Sequence, residues 1–270
     1  MNTIRPLVEK IQKRANSWTG KLLSFQGRVI LARAILNSLP IYNMVIYKWP
    51  RLLIKEGYSI IRNFIWTGDP SQRKGITVKW EKVCKSLKEG GLGIRSLKEV
   101  NDDMLCKLHW AFCDRQEDWS QFMHTNFTNI AGDFIRYHKK STIWPGINLA
   151  ASINRPYIRW LVGNGANIDF WRDTWATEIP LREYNEIPQS LWKRCIAQLS
   201  DFINSNGWDI PTDIRILLLA LAINVLEIPC NPQEADKRIW KPDSYGNFTV
   251  INAYETIRKK SNTAWWWKYT

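Results

Sequence analysis

Between residues 4 and 18 the apolar positions Ile4, Leu7, Val8, Ile11, Ala15 and Trp18 recur at steps of three and four, which places them on one side of a helix. Arg5, Lys13 and Arg14 stand largely off that stripe. Gly20 breaks the pattern, Ser24 can cap a second helix running to about Leu39, and Pro40 stops it. A third helix is predicted from near Pro50, a residue suited to a first turn, and carries Leu53, Ile54, Ile61, Phe64, Ile65 and Trp66. These helices bury apolar faces and leave Arg28, Arg33, Lys55 and Arg62 outside.

The polar run 67–75 predicts a loop, and ITVKW at 76–80 a short strand. Gly90-Gly91-Leu92-Gly93 then predicts a turn. Ser96-x-x-Glu99 reads as a capping box opening a helix over about 97–113. Residues 114–150 have weaker periodicity and predict loops with short helices. Two hairpins are predicted, at 157–171 about Gly163-Asn164-Gly165, and at 239–250 about Asp243 to Asn247. Helical patterns cover 189–205, 212–227 and about 251–260. The apolar run from Ile214 to Leu226 is interrupted by Arg215 and Asn224 and is shorter than the roughly 20 residues of a membrane span. It predicts a buried helix.

The expected fold class is therefore α+β, mainly α: a basic helical part, then a mixed part with two β-hairpins and helices. The expected divisions are 1–113, 114–236 and 237–270. No repeat or low-complexity tract is present, and the 45% hydrophobic content can fill a real core.

Charge sharpens this picture. The chain carries a formal +13, and residues 1–100 hold 19 Lys and Arg against 6 Asp and Glu, so the remaining 170 residues balance. A basic first part beside a neutral remainder predicts a polyanion partner for residues 1–100, with RNA or DNA as the leading candidate. The candidate contacts are Lys13, Arg14, Lys21, Arg28, Arg33, Lys55, Arg62, Arg73, Lys74 and Lys79; residues 114–270 are not expected to bind. A solvated basic surface without a ligand is the plain alternative. Arg28 follows Gly27 at the start of a helix and could instead tie down the preceding turn.

Other chemistry is weaker. The five cysteines are odd in number, scattered and without a C-x-x-C pair, which suits free thiols in a reducing compartment. No signal-peptide core is visible at the N-terminus. An intracellular protein without a membrane partner is expected. Cys106, His109 and Cys113 fall on one helical face, yet a zinc site needs a fourth ligand. Asp102-Asp103 sits in the first turns of a helix, where the dipole favours acids. Gly163-x-Gly165 lacks the third glycine of a dinucleotide site, and no phosphate loop or nucleophile–His–acid arrangement is evident. No cofactor or metal is expected. Of the 16 tryptophans, Trp18, Trp66, Trp110 and Trp171 fall at core positions, whereas Trp265 to Trp267 cannot all face inward and predict a sticky end.

Four stretches carry a resemblance. They are Trp18-x-x-x-Leu22-Leu23-Ser24-x-x-Gly27-Arg28-x-x-Leu31 on to Leu36-Asn37-Ser38-Leu39-Pro40-Ile41-Tyr42; Phe64-Ile65-Trp66 with Trp80-x-x-x-Cys84, Gly90-Gly91-Leu92-Gly93-Ile94-Arg95 and Asn101; Val162-Gly163-Asn164-Gly165 with Phe170-Trp171-x-Asp173-x-Trp175; and Trp240, Gly246-Asn247-Phe248-Thr249-Val250, Ala253-Tyr254 and Trp265-Trp266-Trp267-Lys268. In this order they resemble the region after the polymerase palm in plant LINE-type (non-LTR) retrotransposon reverse transcriptases. The resemblance implies that residues 1–113 are thumb-like and that 237–270 open a reverse transcriptase zinc-binding region. It also implies that the metal-holding palm aspartates lie upstream, so the chain is expected not to be an enzyme as it stands. A palm or zinc-binding domain could join it in trans. The rival expectation is an inert transposon remnant, or an interaction module using the Trp-rich end.

Overall fold

The structure is a computed structural model and describes residues 4–19, 22–73, 75, 78–129, 132–135, 141–185, 187–188, 190 and 196–264. Among these the chain is mainly helical, with two small antiparallel two-stranded sheets, which is the expected α+β class. No described helix is long and apolar enough to cross a membrane. The chain divides into two compact units. The first comprises 1–113, 140–152 and 253–270, and the second 114–139 and 153–252.

The first unit is built on helix α1 (Arg5–Asn16), α2 (Phe25–Leu31), a π-helical segment (Ala32–Leu36), α3 (Ile41–Met44) and α4 (Arg51–Thr67). The apolar stripes behave as expected: Val8, Ile11 and Ala15 of α1 are buried with Leu53, Ile61, Phe64 and Ile65 of α4 in one core. Ser24 caps α2 by accepting from Gly27 N at 3.1 Å. Gly68, at φ +81°, ends α4 in the left-handed conformation that a side chain would strain. The segment expected as a strand differs. Trp80 opens a short helix, α5 (Trp80–Val83), and Val78 and Lys79 are not in a strand; Ile76 and Thr77 lie outside the described residues. The turn at Ser86–Gly91 holds the reciprocal capping box, Ser86 with Glu89. At Ser96, Oγ lies 3.4 Å from Glu99 N and shares a 2.8 Å bond with Tyr58 Oη as α6 (Leu97–Asp114) begins.

The second unit contains α7 (Asp118–Phe127), β1 (Ile158–Leu161), β2 (Ile203–Asn204), β3 (Gly207–Trp208), α9 (Thr212–Ala220) and β4 (Lys237–Trp240); α8 (Trp144–Asn154) precedes β1. Neither expected hairpin forms. β1 pairs with β4, from Ile158 opposite Trp240 to Leu161 opposite Lys237, so the paired residues lie 82 to 76 positions apart. The physical reason is Asp236. Its carboxylate accepts from Gly163 N at 2.9 Å, Gly165 N at 2.9 Å and Asn167 N at 2.8 Å, which turns the Gly163–Gly165 bend around a distant acid. At 239–250, Asp243 accepts from Tyr245 N, Asn247 N and Asn252 Nδ2, and the chain leaves β4 through this tight turn into α10 (Val250–Ile257). Among the described residues the one hairpin of named strands is β2–β3. It falls at the end of the expected 189–205 helix, of which residues 189 and 191–195 lie outside the described set, and Leu199–Phe202 form only a 3-10 turn.

The expected helix at 212–227 stops at Ala220; Ala222 takes a φ of +58° and a 3-10 turn follows at Val225–Glu227. It is also not a buried helix. Only Leu218 of α9 is fully buried, whereas Ile216 and Leu219 are exposed, because the unit's core, centred on Phe170, Trp171, Trp175 and Leu199, covers one face alone.

Candidate nucleic-acid interface

On α4, Arg51, Lys55, Tyr58 and Arg62 stand at i, i+4, i+7 and i+11, a spacing that aligns them along one face over about 16 Å. That face is turned from the buried residues Leu53, Ile60 and Phe64. Tyr58 is fixed from the side: its ring lies 5.7 Å from that of Trp80, and its hydroxyl accepts from Lys98 N at 2.9 Å. Burial pushes that hydroxyl up to about 12, so it stays a neutral group among cations. Lys79 directly precedes Trp80 at the start of α5. Lys55 and Lys79 are exposed and Arg62 is half-buried. Arg51 is also exposed, and sequence reading passes over it although its four-residue step from Lys55 was the available signal.

Two arginines have a second task. Arg28 is half-buried, its Nη1 3.2 Å from where a Cβ would sit on Gly68, and its Nε is buried without a hydrogen-bond partner. The guanidinium therefore covers the carboxyl end of α4, where a helix dipole favours a cation. Arg33, on the π-helical segment, spans Gly93 in the same way, with Nη1 3.4 Å from the corresponding position. Lys13 and Arg14 occupy the last turn of α1, and the Arg14 guanidinium lies 5.3 Å from the centre of the Trp18 ring. Arg73 is exposed. Lys21 and Lys74 lie outside the described residues.

Ion pairing separates the two units. In the first, the ion pairs among the described residues are Arg5–Glu56, Lys98–Asp102 and those of Arg258 with Glu89 and Glu255. None of the eight described candidates takes part in one. In the second, Arg155 pairs with Glu183, Arg172 with Asp133 and Asp169, Arg182 with Asp133, Arg238 with Asp114, and Arg159 and Lys241 with Glu178. Most described cations of the second unit are thus engaged by its own carboxylates, whereas the eight candidates of the first unit are not.

Other candidate chemistry is placed as follows. Asp102 is engaged by Lys98 at 2.6 Å, and Asp103 is buried with Oδ1 unpartnered, its carboxyl pushed up to about 7 by burial. Burial likewise holds Cys84 near 12 and raises Cys106, so both are thiols and not thiolates at neutral pH. Cys113 Sγ and His109 Nε2 are 3.5 Å apart. Among the described residues no group of three or more His, Cys, Asp or Glu side chains converges. Trp171 is buried, while Trp18, Trp66 and Trp110 are half-buried; Cys195 and Trp265 to Trp267 lie outside the described residues.

Comparison with known proteins yields two relatives. The chain is 27% identical over 266 residues to an Arabidopsis thaliana "putative ribonuclease H protein", covering 95% of this chain and 43% of that protein. It is 28% identical over 158 residues to an Arabidopsis thaliana "uncharacterized mitochondrial protein", covering 55% of this chain and 99% of that one. The chain thus spans less than half the length of the first relative. No family model matches the chain, and no solved structure matches it.

Proposed function

We propose that this chain is a piece of a LINE-type retrotransposon reverse transcriptase whose first unit binds the phosphate backbone of RNA or DNA without reading sequence, and which has no polymerase activity by itself. The observation that carries the reading is that Lys13, Arg14, Arg28, Arg33, Lys55, Arg62, Arg73 and Lys79 form no ion pair among the described residues, whereas Arg155, Arg159, Arg172, Arg182 and Arg238 of the second unit are paired within it. Unpaired surface cations are what phosphate binding requires, since each contact releases condensed counterions and none needs a base edge. The ordered motifs from Trp18 to Tyr254 support the family, and a plant relative named for a ribonuclease is in keeping with a nucleic-acid partner.

The test is a titration of labelled duplex and single strand with the full chain at several salt concentrations. A log–log slope of about −3 to −5 is expected for 4 to 6 neutralised phosphates. Affinity indifferent to salt overturns the reading. Primer extension with Mg²⁺ or Mn²⁺ is expected to be absent, and incorporation that survives repurification would overturn that part.

A further inference from the structure

The sequence assigns Lys259 and Lys260 to the neutral part of the chain, but the fold does not leave them there. Segment 258–264 runs along the Ser86–Gly91 turn of the first unit and is held to it at several points. Arg258 Nη1 donates to both Glu89 oxygens, at 2.7 and 3.0 Å, Ser261 N donates to Glu89 Oε1 at 3.1 Å, and Ala264 N donates to Lys88 O at 2.8 Å. The Arg258–Glu89 pair is well covered, with 13% and 7% of the two side chains exposed, so this is a fixed strap.

The strap changes the local charge. Glu89 is engaged by Arg258 and by Ser86, and Glu255 by Arg258 Nε at 2.8 Å. With those acids engaged, the exposed Lys88, Lys259 and Lys260 form no ion pair among the described residues. Arg33 joins them, because its guanidinium lies over Gly93 beside Leu87. Arg95 lies near the start of the strap, its guanidinium 5.5 Å from the ring of Tyr254, four residues before Arg258.

We propose that strap 258–264 is a second arm of the polyanion surface, with Lys259 and Lys260 taking nucleic-acid phosphates alongside Arg33, Lys88 and Arg95. The inference rests on the nucleic-acid reading above and extends it to residues far from the basic first hundred. Spread, exposed cations without an enclosing cradle fit a line of phosphates better than one small anion.

The experiment uses the full chain with a labelled 20-mer, duplex and single-stranded, across a salt series. The variant Lys259→Glu/Lys260→Glu is expected to flatten the slope by about two units, at least one per lysine, equally for unrelated sequences. Its melting temperature should not move, since both side chains are exposed. A charge-matched control in the second unit, Arg215→Glu/Lys237→Glu, should leave the slope unchanged. Arg258→Met, which releases the strap but keeps both lysines, should flatten the slope as well and open 258–264 to proteolysis, with rescue by Arg258→Lys. An unchanged slope in the Lys259/Lys260 variant, or an equal change in the control, overturns the strap inference and leaves the general reading intact. Failure of the parent chain to bind overturns both.

Discussion

Asn101 and Trp49 are joined by a buried hydrogen bond in which Asn101 Oδ1 accepts from Trp49 N–H at 2.8 Å. The same side chain donates through Nδ2 to Met44 O at 3.0 Å and Tyr47 O at 2.9 Å. One amide thus satisfies three backbone groups where α3 gives way to the approach to α4, a bend with no ladder to satisfy them.

The consequence can be measured. Asn101→Ala orphans one donor and two acceptors, each worth about 1–3 kcal/mol when buried without a partner. A loss of roughly 3 kcal/mol is expected in urea unfolding. Asn101→Asp keeps the acceptor, loses both donors and adds a charge, so it should be no better. A loss under about 0.5 kcal/mol for either variant, below the usual worth of one hydrogen bond, would show that the bend is held elsewhere.

In the second unit the corresponding staple is Asp236, whose carboxylate accepts from the backbone N–H groups of Gly163, Gly165 and Asn167. Asp236→Ala should cost on the order of 3 kcal/mol and Asp236→Asn about half, because one acceptor oxygen remains for the two glycine N–H groups. Gly165→Ala should be comparably severe, since Gly165 has φ +76° and an added Cβ would come within 2.4 Å of Ser200 N. Hydrogen exchange at 163–167 is the direct check: unchanged protection in Asp236→Ala would refute the staple.

These two residues also mark how far the sequence could be read. The helices from Arg5 to Thr67 were legible because their apolar residues repeat at the helical period and their ends carry Ser24, Pro50 and Gly68. The hairpins were not. Gly163-Asn164-Gly165 is a sound local turn signal, but a local signal cannot reveal that its donors are claimed by Asp236 and that β1 is claimed by β4. In the candidate interface, charge and helical spacing exposed Lys55 and Arg62. The packing of Arg28 on Gly68 and of Arg258 on Glu89 depends on contacts 40 and 169 residues apart, which no window of sequence displays.

Stability should depend on pH in two opposed ways. Burial raises the Asp103 carboxyl from 3.8 to about 7, and its Oδ1 has no hydrogen-bond partner. The folded chain therefore holds a proton that the unfolded chain releases, so stability falls as pH rises from about 4 to about 7. Asp173, pushed by burial to about 6, adds to the fall. For Glu89, burial works against the hydrogen bonds from Arg258, Ser261 and Ser86, and the bonds win, lowering it from 4.5 to about 2. Its stabilisation is present above about 4.5 and is lost as pH falls through 2. The midpoint of urea unfolding should thus peak near pH 4 to 5. Asp103→Asn should reduce the decline between pH 4 and 7 and raise stability at pH 8; a decline as steep as the parent's would show that Asp103 does not cause it.

The interface residues should divide into two classes that one pair of measurements separates. Arg51, Lys55 and Arg62 share a face of α4, form no ion pair among the described residues, and contact nothing that their loss would orphan. Alanine at each should flatten the salt slope by about one unit, weaken all sequences alike and leave the melting temperature within roughly a degree. Arg28 and Arg33 also cover glycines at positive φ, Gly68 and Gly93, and the Arg28 guanidinium lies at the carboxyl end of α4. Their alanine variants should lose stability as well, by about 1 kcal/mol for the lost helix-end charge and side-chain packing, or several degrees in melting temperature. Slope and melting temperature measured on the same five variants decide the matter. If Arg28→Ala shifts only the slope, its contact with Gly68 is incidental; if Lys55→Ala and Arg62→Ala leave the slope untouched, the α4 face is a solvated surface and binding, if present, runs elsewhere on the first unit.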